Sequence, residues 1–144
     1  MSYPEAMVRP MRDEVTSLGV QELRTAPDVE AALRNATGTT LVFINSVCGC
    51  AAGSARPGLA ASLKAGGVRP DRVFTAFAGV DTDAVDAVRR HLVGIPPSSP
   101  AIALFKDGDL VSMIERHHIQ GLDANRLGQA LRQIYAEHCS PIAG

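Results

Sequence analysis

The sequence predicts an α/β fold, a mixed central sheet with helices on both faces and an extra helical segment in front. Three observations carry that expectation. Short β-rich runs alternate with segments of helical period, the pattern left by parallel strands joined through crossover helices. Asp107-Gly108 stands between two such runs near the end, the signal of a tight hairpin that adds an antiparallel strand. A helical segment, residues 4–18, precedes the first strand. At 144 residues the chain is expected to form one domain, 1–144, with 1–18 a helical extension and 140–144 a loose tail.

Residues 4–18 place Met7, Met11, Val15 and Leu18 at helical spacing, and Pro10 is expected to break or restart that helix. Gly19 suits a helix stop. Val20 to Arg24 is a short strand candidate. Thr25 to Asp28 resembles a capping box, with Asp in the place of Glu, ahead of Val29, Ala32, Leu33 and Ala36 at helical spacing. The strongest strand signal is Leu41-Val42-Phe43-Ile44-Asn45-Ser46. Residues 51–65 read as a helix with a small-residue face, bent at Pro57. A second strand runs through Val73 to Phe77, and Asp81 opens a helix with Val85, Val88 and Leu92 on one side. A stiff loop, Gly94 to Pro100, leads to the hairpin strands Ala101 to Phe105 and Leu110 to Glu115. The last helix covers 123–138 and turns Leu127, Leu131, Ile134 and Tyr135 inward.

Composition narrows the function classes. A formal net charge of -1 with both signs interspersed offers no electrostatic footprint for nucleic acid or anionic lipid. No apolar run reaches the length of a membrane span, and Glu5, Arg9, Arg12, Asp13 and Glu14 interrupt the start, so a cytoplasmic protein is expected. Three cysteines do not make a disulfide scaffold; in a reducing compartment a close pair serves catalysis, redox sensing or metal binding.

That pair is Cys48-Gly49-Cys50, at the end of the strongest strand and ahead of small, helix-compatible residues. The placement puts sulfur near a helix N-terminus, where unpaired N–H groups and the helix dipole favour the thiolate, the reactive form. Three chemistries fit: thiol–disulfide exchange, a soft-metal thiolate site that His117 and His118 would complete, and an inert buried pair. Exchange has its own rationale. A disulfide across one residue closes a small, strained ring that is easily reduced, and Gly49 is the residue most able to adopt its backbone. Between Arg34 and Arg56 there is no charged side chain or histidine, so acidity must come from the helix terminus or from groups the fold brings in. Arg56 itself reads as a surface or helix-packing residue.

The alternation of elements resembles a thioredoxin-like fold, and Pro100-Ala101-Ile102-Ala103-Leu104-Phe105-Lys106-Asp107-Gly108 is similar to the thioredoxin strand that follows its cis-proline. Met1-Ser2-Tyr3-Pro4-Glu5, Asn45-Ser46-Val47-Cys48-Gly49-Cys50-Ala51-Ala52-Gly53, Ala55-Arg56-Pro57 and Ser98-Ser99-Pro100 together resemble the bacilliredoxin family over nearly the whole chain. The resemblance implies thiol–disulfide exchange at Cys48 and Cys50, with Gly49, Ser99 and a cis Pro100 shaping the substrate groove. It implies no bound cofactor. It implies bacillithiol, a low-molecular-weight thiol, as co-substrate, and bacillithiolated proteins as partners, with disulfide isomerase activity as an alternative. In a thioredoxin-like sheet, chain direction brings Arg116, His117 and His118 toward the cysteines, unless the histidines are solvated loop residues, and leaves Cys139 at the far end.

Overall fold

The computed structural model describes residues 3–140. The elements are α1 (Glu5–Thr16), β1 (Gln21–Glu22), α2 (Ala26–Leu33), β2 (Thr39–Asn45), a wide π-type helical turn (Ala51–Ala55), α3 (Arg56–Lys64), β3 (Arg72–Phe77), α4 (Thr82–Arg90), β4 (Ala101–Lys106), β5 (Asp109–Ile114), α5 (Arg116–Gln120) and α6 (Ala124–His138). The strand order is β1-β3-β2-β4-β5. The pairs β1–β3 and β3–β2 are parallel, and β2–β4 and β4–β5 are antiparallel. The expected mixed sheet is present.

All seven residues of β2 are buried because it is the central strand and both of its faces are covered. Leu41 and Phe43 enter one core, with Leu59 and Leu63 of α3 and Leu127, Leu131 and Tyr135 of α6. Val42 and Ile44 enter the other, with Val29 and Leu33 of α2 and Val85 and Val88 of α4. The period-2 alternation of a strand thus feeds both layers. The α3–α6 contact uses the small-residue face: a Cβ on Gly58 would lie 2.9 Å from the Leu127 side chain, and one on Gly128 would lie 3.2 Å from Ala61. The capping box of α2 is formed, with Asp28 N–H donating to Thr25 Oγ1. The hairpin turns on Asp107 and Gly108, both at positive φ. Asp107 also accepts from the Gly38 N–H at 2.7 Å, which staples the hairpin tip to the start of β2.

Several expectations need correction. Pro10 does not break α1, which runs through it; Pro10 and Ala6 are both exposed, so the Ala6 carbonyl that Pro10 leaves without a partner is open to water. The buried face of α1 is Val8, Arg12 and Val15, and Met7 is exposed, because Arg12 has buried partners. Residues 51–64 are helical throughout, and Pro57 stands where the π-type turn gives way to α3, in the first turn of that helix. The first strand is only two residues, and the segment after β5 is helical. The tail from 141 on lies outside the described residues, and Ser140 carries no regular structure.

Candidate thiol site

Four chain segments meet at one end of the sheet. Ser46-Val47-Cys48 leaves the C-terminal end of β2, Ala78-Gly79 leaves β3, Ser99 enters β4 through the cis Ser99-Pro100 bond, and Arg116 follows β5. With the ring of Tyr3 they enclose a cleft of about 360 Å³. The parallel pair β2–β3 opens this crevice because both chains turn away from the sheet at their carboxyl ends.

Side-chain hydrogen bonds hold the turn that carries the cysteines. Asn45 Oδ1 accepts from the Ser46 N–H at 2.8 Å, and Ser46 Oγ accepts from the Cys48 N–H at 3.1 Å. Arg56 is buried and donates from Nη1 to Asn45 Oδ1 at 3.1 Å and to the Ser46 carbonyl at 2.9 Å. Its Nε pairs with Glu14 at 2.8 Å, and Asn45 Nδ2 donates to the Met11 carbonyl, so α1 is tied to the same turn. Arg56 is therefore not a surface residue; the other expectation for it, helix packing, is seen in its pair with Glu14 of α1, and it holds the strand end as well. A buried guanidinium requires partners, and the strand end and α1 supply them.

The Cys48 carbonyl accepts from the N–H groups of Ala51 and Ala52, which starts the helical turn. Cys48 and Cys50 are half-buried free thiols with their sulfurs 2.8 Å apart, and Gly49 between them is exposed. The Cys48 thiol titrates below its ordinary value, first because its thiolate accepts a hydrogen bond from the Cys50 S–H. Backbone N–H groups of Cys50 and Ala51 and the positive charge of Arg116 add to this, and burial opposes it. Cys50 is pushed up, by burial first and then by the Cys48 sulfur. One thiol is primed and its neighbour holds its proton.

A family model described as disulphide isomerase matches residues 3–139. Curated bacilliredoxins match over nearly the full chain. One of Salinibacter ruber is 50% identical over 96% of this chain and 82% of its own length. One of Cytophaga hutchinsonii is 49% identical over 94% and 98%. The chain belongs to the bacilliredoxin family. The chain has a thioredoxin fold: mitochondrial thioredoxin 3 of Saccharomyces cerevisiae superposes with a TM-score of 0.56 at 19% identity, covering 86% of this chain and 98% of that one. Fasciola hepatica thioredoxin gives 0.55 at 21%, covering 83% and 99%. This chain is a thiol–disulfide oxidoreductase.

Of the residues singled out in the sequence, Cys48 and Ser99 line the cleft, Cys50 touches Cys48, and Pro100 is buried behind Ser99. Gly49 stands outside the cleft wall, and a Cβ there would meet nothing within 4 Å. Arg116 reaches the cleft; His117 and His118 are exposed, pack on one another with ring centroids 4.0 Å apart, and do not line it. Among the described residues those two histidines group with Glu115 as a possible ligand set, and no cysteine joins it. Cys139 packs beside Thr39, at the start of β2, and burial pushes its thiol up. No helix among the described residues is long and apolar enough to cross a membrane.

Tyr3, Gly79 and the Asn45–Arg56 pair escaped sequence reasoning as site components. The signal for Arg56 was its isolation: it is the first charged residue after Arg34. Tyr3 stood in the opening run that carries the family resemblance, but nothing beside it marked its place in the site, because its contact is with Gly79, whose added Cβ would lie 2.9 Å from the ring.

Proposed function

We propose that this protein removes bacillithiol from mixed disulfides on other proteins, with Cys48 as nucleophile and Cys50 as resolving thiol. The observation that carries the reading is the cysteine pair itself: a lowered thiol facing a cleft, 2.8 Å from a raised one. The Cys48 thiolate attacks the bacillithiol sulfur of the client's mixed disulfide. A bond from Cys48 to that sulfur forms, the client S–S bond breaks, and the client thiolate leaves and takes a proton from water. Cys50 then loses its proton and attacks Cys48, closing the Cys48–Cys50 disulfide and expelling bacillithiol. An external thiol reductant returns the two electrons. Ser99, the buried Pro100 behind it and Gly49 at the outer edge shape the groove for the client backbone. The whole chain works as one domain in the cytoplasm, where its thiols stay reduced.

The test is intact-mass analysis after incubation with a bacillithiolated protein. Cys48→Ser is expected to transfer nothing, and Cys50→Ser to accumulate one bacillithiol on Cys48. Full activity of Cys48→Ser with the adduct on Cys50 would reverse the assignment. The description of the matching family model favours a second reading, disulfide isomerisation. It requires recovery of activity from a scrambled disulfide protein at a rate that Cys48→Ser abolishes.

A further inference from the structure

Arg116 is the one charged side chain among the described residues lining the cleft. It stands at the start of α5, is exposed, and makes no ion pair among the described residues. Arg12, Arg24, Arg34 and Arg56 pair with carboxylates, and the half-buried Arg72 and Arg89 donate to hydroxyl and carbonyl oxygens away from the cleft lining. Arg116 is nonetheless held in place. Its backbone N–H donates to Ser98 Oγ at 3.3 Å, and Nη1 donates to the Ser99 carbonyl at 3.4 Å. Both tethers fix it to the loop that enters β4, on the wall next to Cys48. One long contact engages one of five guanidinium donors, and the rest of the fork is free.

A free, oriented guanidinium at the rim of a cleft is a carboxylate receptor, because its planar fork matches two carboxylate oxygens. The cleft volume of about 360 Å³ exceeds what a bare sulfur and its methylene need, and falls in the range of small-molecule sites. The facing wall is uncharged: Ala78, and Gly79 beneath the Tyr3 ring.

We infer that the cleft holds the small-thiol half of the mixed disulfide, and that Arg116 selects a carboxylate-bearing thiol by binding its carboxylate while its sulfur lies on Cys48. The inference rests on the transfer reading above and names the side chain that reads the small thiol at that site. It makes Arg116 a specificity residue that touches substrate. The small thiol then fills the inner cleft, and the client backbone lies along its outer edge, past Ser99 and Gly49.

The test compares two mixed disulfides on one carrier protein, made with 3-mercaptopropionate or with 3-mercapto-1-propanol, which differ in charge and little in size. Adduct formation on Cys48 is followed by mass in the wild type, Arg116→Gln and Arg116→Lys, with the Cys50→Ser substitution added to each to trap it. Arg116→Gln is expected to slow transfer of the carboxylate thiol roughly 10- to 100-fold, as for a lost hydrogen bond between charged groups. It should slow the alcohol less than about 3-fold on the same reasoning, and Arg116→Lys should recover part of the difference. An equal loss on both thiols would show that Arg116 acts on the thiolate alone, and no loss would remove it from the site; either overturns the inference. A second readout does not depend on transfer at all. The ratio of iodoacetate to iodoacetamide alkylation rates at Cys48 should fall in Arg116→Gln. Failure of the wild type on both mixed disulfides with that ratio still falling would sink the transfer reading and leave the carboxylate receptor standing; an unchanged ratio would count against the receptor.

Discussion

Arg12 and Asp81 offer the clearest thermodynamic test of how α1 is attached. Both are buried, at 2% and 7% exposure, and they meet in a two-pronged pair with oxygens 2.8 and 2.9 Å from Nη1 and Nη2. The two partners do not lose equally. Replacing Arg12 with Met keeps much of the apolar stem but leaves Asp81, Glu22 and Glu5 facing only Arg24. It also removes the guanidinium stacked 5.4 Å from the Phe77 ring centroid. Breaking a buried pair from one side costs about 3–5 kcal/mol. Asp81→Asn leaves Arg12 its contacts to Glu5 and Glu22, so its cost should lie nearer 2–3 kcal/mol, roughly that of stranding one charged hydrogen-bonding group. For a chain of this size 1 kcal/mol is worth roughly 3–5 °C in Tm, so Arg12→Met should lower Tm by about 10–20 °C. Once Arg12→Met is in place, adding Asp81→Asn should cost almost nothing, a coupling of about 2–3 kcal/mol. Urea melts followed by circular dichroism measure all four corners of the cycle. Additive losses, or an Arg12→Met variant within about 1 kcal/mol of the parent, would refute the reasoning.

Other expectations concern the site and its support. Cys50→Ala removes the S–H that bonds the Cys48 thiolate, so the midpoint of Cys48 alkylation against pH should move up toward that of a free thiol, with less thiolate at neutral pH; an unchanged or lower midpoint would refute the cause assigned here. Arg56→Lys keeps the charge but cannot reach Glu14, Asn45 and the Ser46 carbonyl together. It should cost about 1–3 kcal/mol and slow adduct formation, and full rate with full stability would dismiss the Arg56 clamp. Gly58→Ala drives a methyl group against Leu127 and should destabilise by about 1–3 kcal/mol, read as a lower urea midpoint with an unchanged slope.

What could be read in advance was local chemistry. The run of β-formers in β2, the Thr25–Asp28 box, the Asp107-Gly108 turn and the cysteine pair each declare themselves within a few residues. What escaped depends on partners far along the chain. Arg12 is buried because Asp81, 69 residues away, meets it, and Arg56 because Glu14 does, 42 residues away. Neither pairing leaves a mark on the residues around it, so a buried arginine reads like an exposed one. The helix α5 was hidden for another reason. Its five residues bury only Ile119, too few for any period to show. The approach of Arg116 followed from chain direction alone, while the separate fate of His117 and His118 needed the helix to be seen.

The opposite placement of Cys139 gives the molecule an internal standard. The strand between the two ends spans seven residues, Thr39–Asn45, or about 20 Å at roughly 3.3 Å per residue. One polypeptide therefore holds a primed thiol and a sluggish one that share concentration, buffer and history, yet stand too far apart to exchange with each other. Brief alkylation at neutral pH marks the first and spares the second. A later denaturing label with a heavier reagent then counts every molecule through Cys139, and the ratio of the two tags on one peptide digest reports site occupancy without a calibration protein.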